Sequence, residues 1–346
     1  MPTLSTTDWN KLCSIMNGYI YSIALATGCE LDLFTWLSKH PGSNQQQIAD
    51  GLSLSPHATR VLLLSCCAAQ LIERDPDTQG YFNSELANHV LVSDSPLSML
   101  PFIQFNQHVQ LRGCLHFSTA LREGRNAGLD EFPGAGKTLY ERLRAYPQTE
   151  QLFQEGMGNY TRLSPQMIEI PEFAGVKHLL DVGGGDGTNA IRLCQQYPSL
   201  KVTILELPSV CTIGKKNVES LGLSNQIHYV EADMFKDPWL FECDGILMSH
   251  LVEILAAEKI LYLYRKAYEV LPKNGLLFVW TLMANDLETR GLQAAKAAMY
   301  LFTVASGEGM PWPAVEHISL LKKAGFDHLI HHEAQEIDHG AIVAKK

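Results

Sequence analysis

His178-Leu-Leu-Asp-Val-Gly-Gly-Gly-Asp-Gly-Thr188 is the stretch that decides how this chain is read. An apolar run ends in a carboxylate, Asp181, and glycines then fall at Gly183, Gly185 and Gly187 before a helix-like segment, Asn189-AIRLCQQY-Pro198. Glycine is needed where the backbone turns sharply or lies against a ligand without a Cβ in the way. Strand, glycine loop and helix, in that order, predict the nucleotide-binding crevice of an open parallel sheet.

A dinucleotide site calls for G-x-G-x-x-G. Three residues beyond Gly185, however, stands Thr188. The spacing acidic-x-Gly-x-Gly-x-Gly resembles motif I of class I S-adenosylmethionine (SAM) dependent methyltransferases. Further runs follow in order. Lys201-VTILE-Leu207 is β-rich and carries Glu206 near its end, where a carboxylate accepts hydrogen bonds from ribose hydroxyls. Gln226-IHYVEA-Asp233 closes on Asp233-Met234-Phe235, a carboxylate and an apolar side chain suited to the amine and the ring of adenine. Asp244-GILMS-His250 and Leu276-LFVWT-Leu282 read as fourth and fifth strands. Between them Glu258-KILYLYRKAYEV-Leu271 reads as a helix, with Ile260, Tyr264, Ala267 and Leu271 recurring at three and four. The alternation predicts an α/β fold with a doubly wound parallel sheet.

Residues 1–110 are mostly helical in pattern. Ser43 to Arg74 reads as a helix, a turn at Gly51 to Pro56 and a second helix, with Tyr81-Phe82 as a small wing. A DNA-binding helix-turn-helix is the distant alternative. Its recognition helix, Pro56 to Leu71, carries one arginine, too few cations for several phosphate contacts. A net charge of −10 also opposes binding to nucleic acid. Residues 111–175 read as a helical connector and 176–346 as the nucleotide-binding domain. No stretch approaches the ~20 apolar residues of a membrane span, and no signal peptide is visible, so a cytoplasmic protein with no membrane partner is expected. The eight cysteines include no C-x-x-C pair, so no metal is expected. His328, His331, His332 and His339 read as a terminal hairpin with some exposed imidazoles.

Taken together, Leu139-Tyr140, Phe153-QEG-Met157, Leu180-DVGGGD-Gly187, Leu205-EL-Pro208, Ala232-DM-Phe235, Ser249-His250 and Lys323-AG-Phe326 resemble the two-domain small-molecule O-methyltransferases of the caffeate and hydroxyneurosporene type. The resemblance implies a Rossmann-like doubly wound seven-stranded sheet ending in an antiparallel hairpin. It also implies an N-terminal winged-helix-like domain that mediates homodimerisation, and SAM as cofactor. By the same resemblance Gly183, Gly185, Glu206, Leu207, Asp233, Met234 and Ser249 line the SAM site. The acceptor it implies is a hydroxyl of a small aromatic natural-product intermediate.

A phenol has a pKa near ~10, so a positioned base matters at neutral pH. The family pattern Ser-His-x-x-His-Asp-Trp has the second His as base. Here Ser249-His250-Leu251-Val252-Glu253-Ile254-Leu255 puts Glu253 in that place. Met299 and Pro311 fall where the family's orienting acids stand. Three readings stay open. Glu253 is a base tuned upward by burial; or Glu253 orients a substrate for which proximity suffices, C-methylation of an activated carbon included; or bound SAM serves a pericyclic or decarboxylating reaction. His250 lies three residues before Glu253 and is either a second catalytic residue or packing beneath the cofactor. Candidate substrate contacts are His108, spaced by four from Arg112 and His116, together with Met157, Tyr300 and Trp312; Phe302 and Met310 flank the last two.

Overall fold

The structure, a computed structural model, describes residues 5–346 apart from 164, 241 and 334–337. Two short strands, β1 (Ile72–Arg74) and β2 (Tyr81–Asn83), pair antiparallel. Seven more, β3 (His178–Val182), β4 (Lys201–Glu206), β5 (Ile227–Glu231), β6 (Gly245–Ser249), β7 (Leu276–Leu282), β8 (His328–Glu333) and β9 (His339–Lys345), form a second sheet. Its order is β5-β4-β3-β6-β7-β9-β8. Strands β3 to β7 run parallel, and β9 enters antiparallel between β7 and β8. The order reverses between β3 and β6, so the crevice opens at the carboxyl ends of those two strands.

Strands covered on both faces are apolar nearly throughout, and β6 is buried along its whole length. Alternate residues serve opposite faces. Leu180, Ile246, Met248, Leu277 and Val279 pack with Ile260, Leu263, Tyr264, Leu321 and Phe326 on one side. Leu179, Val202, Ile204, Leu247 and Phe278 pack with Leu193 and Phe173 on the other. The Phe173 and Phe278 rings stack 4.0 Å apart.

The chain divides into two compact units, Met1–Gln107 and His108–Lys346. The stretch 111–175, expected as a connector, belongs to the second unit. There a Cβ on Gly128 would meet the Gly113 carbonyl at 2.3 Å and the Thr303 carbonyl at 2.9 Å, so this backbone packs directly on the following helical region. In the first unit Asn44 and Gln47 form a capping box ahead of Gln45–Gly51, and Ser55 caps Pro56–Ala68 with proline in the first turn. Leu33, Phe34, Leu37, Ile48, Leu63, Cys66 and Ile72 fill its core.

One expectation is corrected here. The helical run Thr6–Glu30 is 25 residues long and is, by length and composition, apolar enough to cross a membrane. Gly18 keeps right-handed helical dihedrals, so it joins Thr6–Asn17 to Tyr19–Glu30 instead of breaking them. Trp9, Leu12, Ile15, Met16, Tyr19, Ile20 and Ile23 are exposed along this run.

Candidate active site

The glycine loop leaves β3 at Val182 and is tied at once to β4, Gly183 N–H donating to the Leu205 carbonyl at 2.9 Å. Gly185 and Gly187 have φ of +58° and +84°, a left-handed path in which a side chain is strained. A Cβ on Gly187 would also lie 2.6 Å from the Tyr229 hydroxyl. That hydroxyl donates to the Gly185 carbonyl at 3.0 Å and pins the loop. Beneath it Asp181 is completely buried, and neither carboxylate oxygen has a hydrogen-bond partner among the described residues. Burial, with help from Glu206, pushes the Asp181 carboxyl up to about 7. A buried polar group left unpaired is a demand for a partner.

The remaining cofactor candidates line the same rim. At the end of β4, Glu206 accepts from the Gly185 N–H at 3.2 Å and the Leu207 N–H at 2.7 Å. Burial raises its pKa against the pull of those two amides, and each oxygen keeps a lone pair for a hydroxyl. Past β5, Asp233 accepts from the Phe235 N–H at 2.9 Å and from Lys236 at 2.7 Å, and Lys236 holds it below the usual carboxylate range. Met234 is half-buried, packs on the core and is anchored by Lys266 Nζ donating to its carbonyl at 2.8 Å. At the end of β6, Ser249 Oγ accepts from Asn189 Nδ2 at 2.9 Å. Acids at successive strand ends, a glycine cradle without Cβ atoms and an orphaned carboxylate fit SAM, which presents an ammonium, a ribose diol and an adenine.

The other half of the crevice is built around His250. Its φ is +50°, a conformation costing a non-glycine residue roughly 1–2 kcal/mol and concentrated at functional sites. Its N–H donates to the Trp280 carbonyl at 2.8 Å. Its Nδ1 lies 3.0 Å from Glu253 Oε1, and the other Glu253 oxygen accepts from the Thr281 hydroxyl. Burial alone would raise the Glu253 carboxyl, but the hydrogen bond and charge of His250, with the Thr281 bond, bring it below the ordinary value. The upward tuning expected at Glu253 is opposed by these two hydrogen bonds and the His250 charge. With Nδ1–H donated to that carboxylate, neutral His250 has a bare Nε2.

That nitrogen faces Nε2 of His339 at 3.4 Å. His339 is buried and stacked on Trp280 at 5.3 Å, and the Tyr160 ring lies 6.0 Å from both imidazoles. The four histidines lie on the terminal hairpin as expected, with some imidazoles exposed. His328 and His331 are exposed and His332 reaches Glu172 at 3.3 Å. His339 enters the site because it opens β9, opposite Leu282 of β7. His339, Tyr160 and Thr281 are functional candidates that motif matching passes over. None of the three carries a local spacing signal, whereas Asp181 is the acid of the glycine-loop motif, just before β3 ends at Val182.

Among the expected substrate contacts, Met157 is half-buried on Pro147–Leu163, three residues before Tyr160 and on its helix face. Tyr300 is buried, and its hydroxyl interacts with that of Tyr140, which feels the Glu253 charge. His108 is exposed, and a π-turn over Asn106–Leu111 breaks the spacing it was expected to share. Arg112 and His116 are held by Glu131 at 2.6 and 2.9 Å instead of greeting a substrate. Trp312 is half-buried, packs on the core and donates its Nε1–H to the Leu255 carbonyl at 3.0 Å. Met299 is exposed, and the groups bonded to Glu253 are Thr281 and His250.

Crevice, strand-end acids and imidazole–carboxylate pair define a class I SAM-dependent methyltransferase. Residues 115–327 match the O-methyltransferase domain model and residues 13–93 the O-methyltransferase dimerisation domain model, and the chain belongs to that family. L-tyrosine C(3)-methyltransferase of Streptomyces lavendulae is 32% identical over 346 residues, covering 98% of this chain and 93% of that protein. Acetylserotonin O-methyltransferase of Homo sapiens is 28% identical over 317 residues, 90% of each. The apo structure of the SAM-dependent methyltransferase SibL matches with a TM-score of 0.82 at 29% identity, over 97% of this chain and 98% of its own. The human N-acetylserotonin methyltransferase complex with SAM shares the fold, with a TM-score of 0.90 at 24% identity over 100% and 99% of the two chains.

Proposed function

We propose that this methyltransferase acts on a small phenol, a phenolic amino acid being the leading class, and methylates the ring carbon beside the hydroxyl. The observation that carries the reading is the buried His250–Glu253 pair, 3.0 Å between Nδ1 and Oε1, with Thr281 on the second carboxylate oxygen. In this reading Gly183, Gly185, Glu206, Leu207, Asp233, Met234 and Ser249 hold SAM, with Asp181 facing its ammonium end. Bound SAM supplies an activated methyl group. Glu253 fixes the His250 tautomer and stabilises the imidazolium, and His250 Nε2 takes the phenolic proton. The Tyr160 ring lies beside the imidazole, 6.0 Å between centroids.

A phenolate is nucleophilic at oxygen and at the ring carbons ortho and para to it. The full-length similarity to the S. lavendulae enzyme supports the carbon, the similarity to acetylserotonin O-methyltransferases the hydroxyl expected from sequence. The test is incubation with SAM and a panel of phenolic amino acids, with the product read by NMR. A new ring methyl and the loss of one aromatic proton signal are expected; a methoxy signal moves the assignment to oxygen, and no methylated phenol removes the reading. We also infer a homodimer, for which the matched dimerisation domain and the exposed apolar side of Thr6–Glu30 provide the surface.

A further inference from the structure

We propose that Lys266 and Tyr262 are positioning residues for the methyl donor: from the helix Ala257–Val270 they hold the turn after β5 in the shape that recognises adenine. The inference rests on the reading above in which Asp233 takes the exocyclic amine of the donor and Met234 covers its ring. Such recognition needs the carboxylate and the apolar side chain at a fixed offset, yet both stand on a turn, Asp233 to Asp237, outside any strand. The turn closes on itself. The Lys236 and Asp237 N–H groups donate to the Asp233 carbonyl at 3.1 and 2.9 Å, and the Asp233 N–H donates to the Asp237 carboxylate at 2.7 Å. These bonds fold the turn but do not mount it on the rest of the domain.

The mount comes from the helix. Lys266 Nζ donates to the Met234 carbonyl at 2.8 Å and to the Asp237 carbonyl at 2.7 Å, so one ammonium bridges the turn across its span. The Tyr262 hydroxyl donates to the Phe235 carbonyl between them at 3.0 Å. Lys266 and Tyr262 are spaced by four and share a helix face, and Ile260, Leu263, Tyr264 and Ala267 bury the other side of that helix in the core. The Trp239 Nε1–H joins Lys266 on the Met234 carbonyl at 3.2 Å, and the ammonium lies 4.9 Å from the centre of the Trp239 ring. Hydrogen bonds from a charged donor are roughly twice as strong as neutral ones, which makes Lys266 the stronger of the two fastenings. Burial lowers the Lys266 pKa from the usual lysine value, and the two carbonyls offset that desolvation. Both residues act on the donor through Asp233 and Met234.

The test is calorimetry of wild type, Lys266→Met and Tyr262→Phe with S-adenosylhomocysteine and with S-inosylhomocysteine, which carries an oxygen where adenine carries its amine. Wild type is expected to prefer the adenine ligand by about 100-fold, the scale of one hydrogen bond to a charged group. In Lys266→Met that preference is expected to fall about 10-fold, and in Tyr262→Phe, which changes no charge, about 3-fold. A merely structural role would weaken both ligands alike and leave their ratio where it was. An unchanged ratio in Lys266→Met therefore overturns the positioning role alone. Equal binding of the two ligands by wild type overturns it together with the placement of adenine on Asp233. The Tyr262 side chain is exposed, so Tyr262→Phe carries the test where Lys266→Met fails to fold, and an unchanged ratio there overturns the proposal as well.

Discussion

The two halves of the crevice are built in different ways. On the β3–β4–β5 side every candidate group sits at a strand end and is held by its immediate neighbours: Gly183 on Leu205, Glu206 on Leu207 and Gly185, Asp233 on Phe235 and Lys236. On the β6–β7–β9 side the groups come from distant parts of the chain, with His250 and Glu253 after β6, Thr281 in β7 and His339 at the start of β9. In the proposed function the first side is a binding surface, tolerant of detail because many weak contacts share the task. The second, in the same proposal, is a proton-handling site, where a single misplaced nitrogen removes the chemistry. A substitution on the second side should therefore strike turnover, and one on the first should strike affinity.

The largest expected effect is that of Glu253→Gln. It leaves His250 without a negative partner for the imidazolium, and kcat should fall by about 10²–10⁴-fold, with donor affinity held; stopped-flow turnover beside calorimetry with S-adenosylhomocysteine separates the two. An activity near wild type would merge the two halves into one binding surface. Next is Glu206→Ala, expected to weaken donor binding by about 1–3 kcal/mol, the scale of hydrogen bonds to a charged group, while kcat at saturation changes little. Unchanged affinity would remove Glu206 from the donor side.

A smaller effect is written in pH. The Asp181 carboxyl is raised from 3.8 to about 7, so the folded chain keeps a proton that the unfolded chain gives up. Its contribution is complete below the unfolded value and lost as pH rises through that window. The melting temperature of the ligand-free protein should fall between pH 5 and about 7, and Asp181→Asn should flatten that fall. A slope identical in the two proteins would show that the burial of Asp181 is not felt in stability. Smallest in turnover is Ile15→Asp with Met16→Asp on the exposed side of Thr6–Glu30. Each apolar side chain buried in a dimer contributes about 1.5–3 kcal/mol, so sedimentation should shift toward monomer. A dimer that persists would place the interface elsewhere.

The same contrast explains what could be read from the chain without coordinates. The glycine loop, the acids after β3, β4 and β5 and the helix Ala257–Val270 are local: strand, turn and helix follow one another within some 20 residues, and periodicity exposes them. Glu253 was visible as an intruder in a His position, but its role was not, because the sign of its pKa depends on two partners, and Thr281 lies 28 residues away. His339 was legible only as a histidine in a hairpin. Its burial follows from β9 inserting antiparallel between β7 and β8, and no local spacing encodes that. Arg112 and His116 misled for the converse reason: a helical spacing of four is real chemistry only when no nearer acid, here Glu131, occupies both cations.

The most direct measurement is a crystal structure of the protein with S-adenosylhomocysteine and a phenolic amino acid bound together. The phenol oxygen is predicted about 3 Å from His250 Nε2, with Glu253 still on Nδ1 and a ring carbon turned toward the sulfur. A phenol bound in the crevice with its oxygen pointing away from His250 would contradict the account.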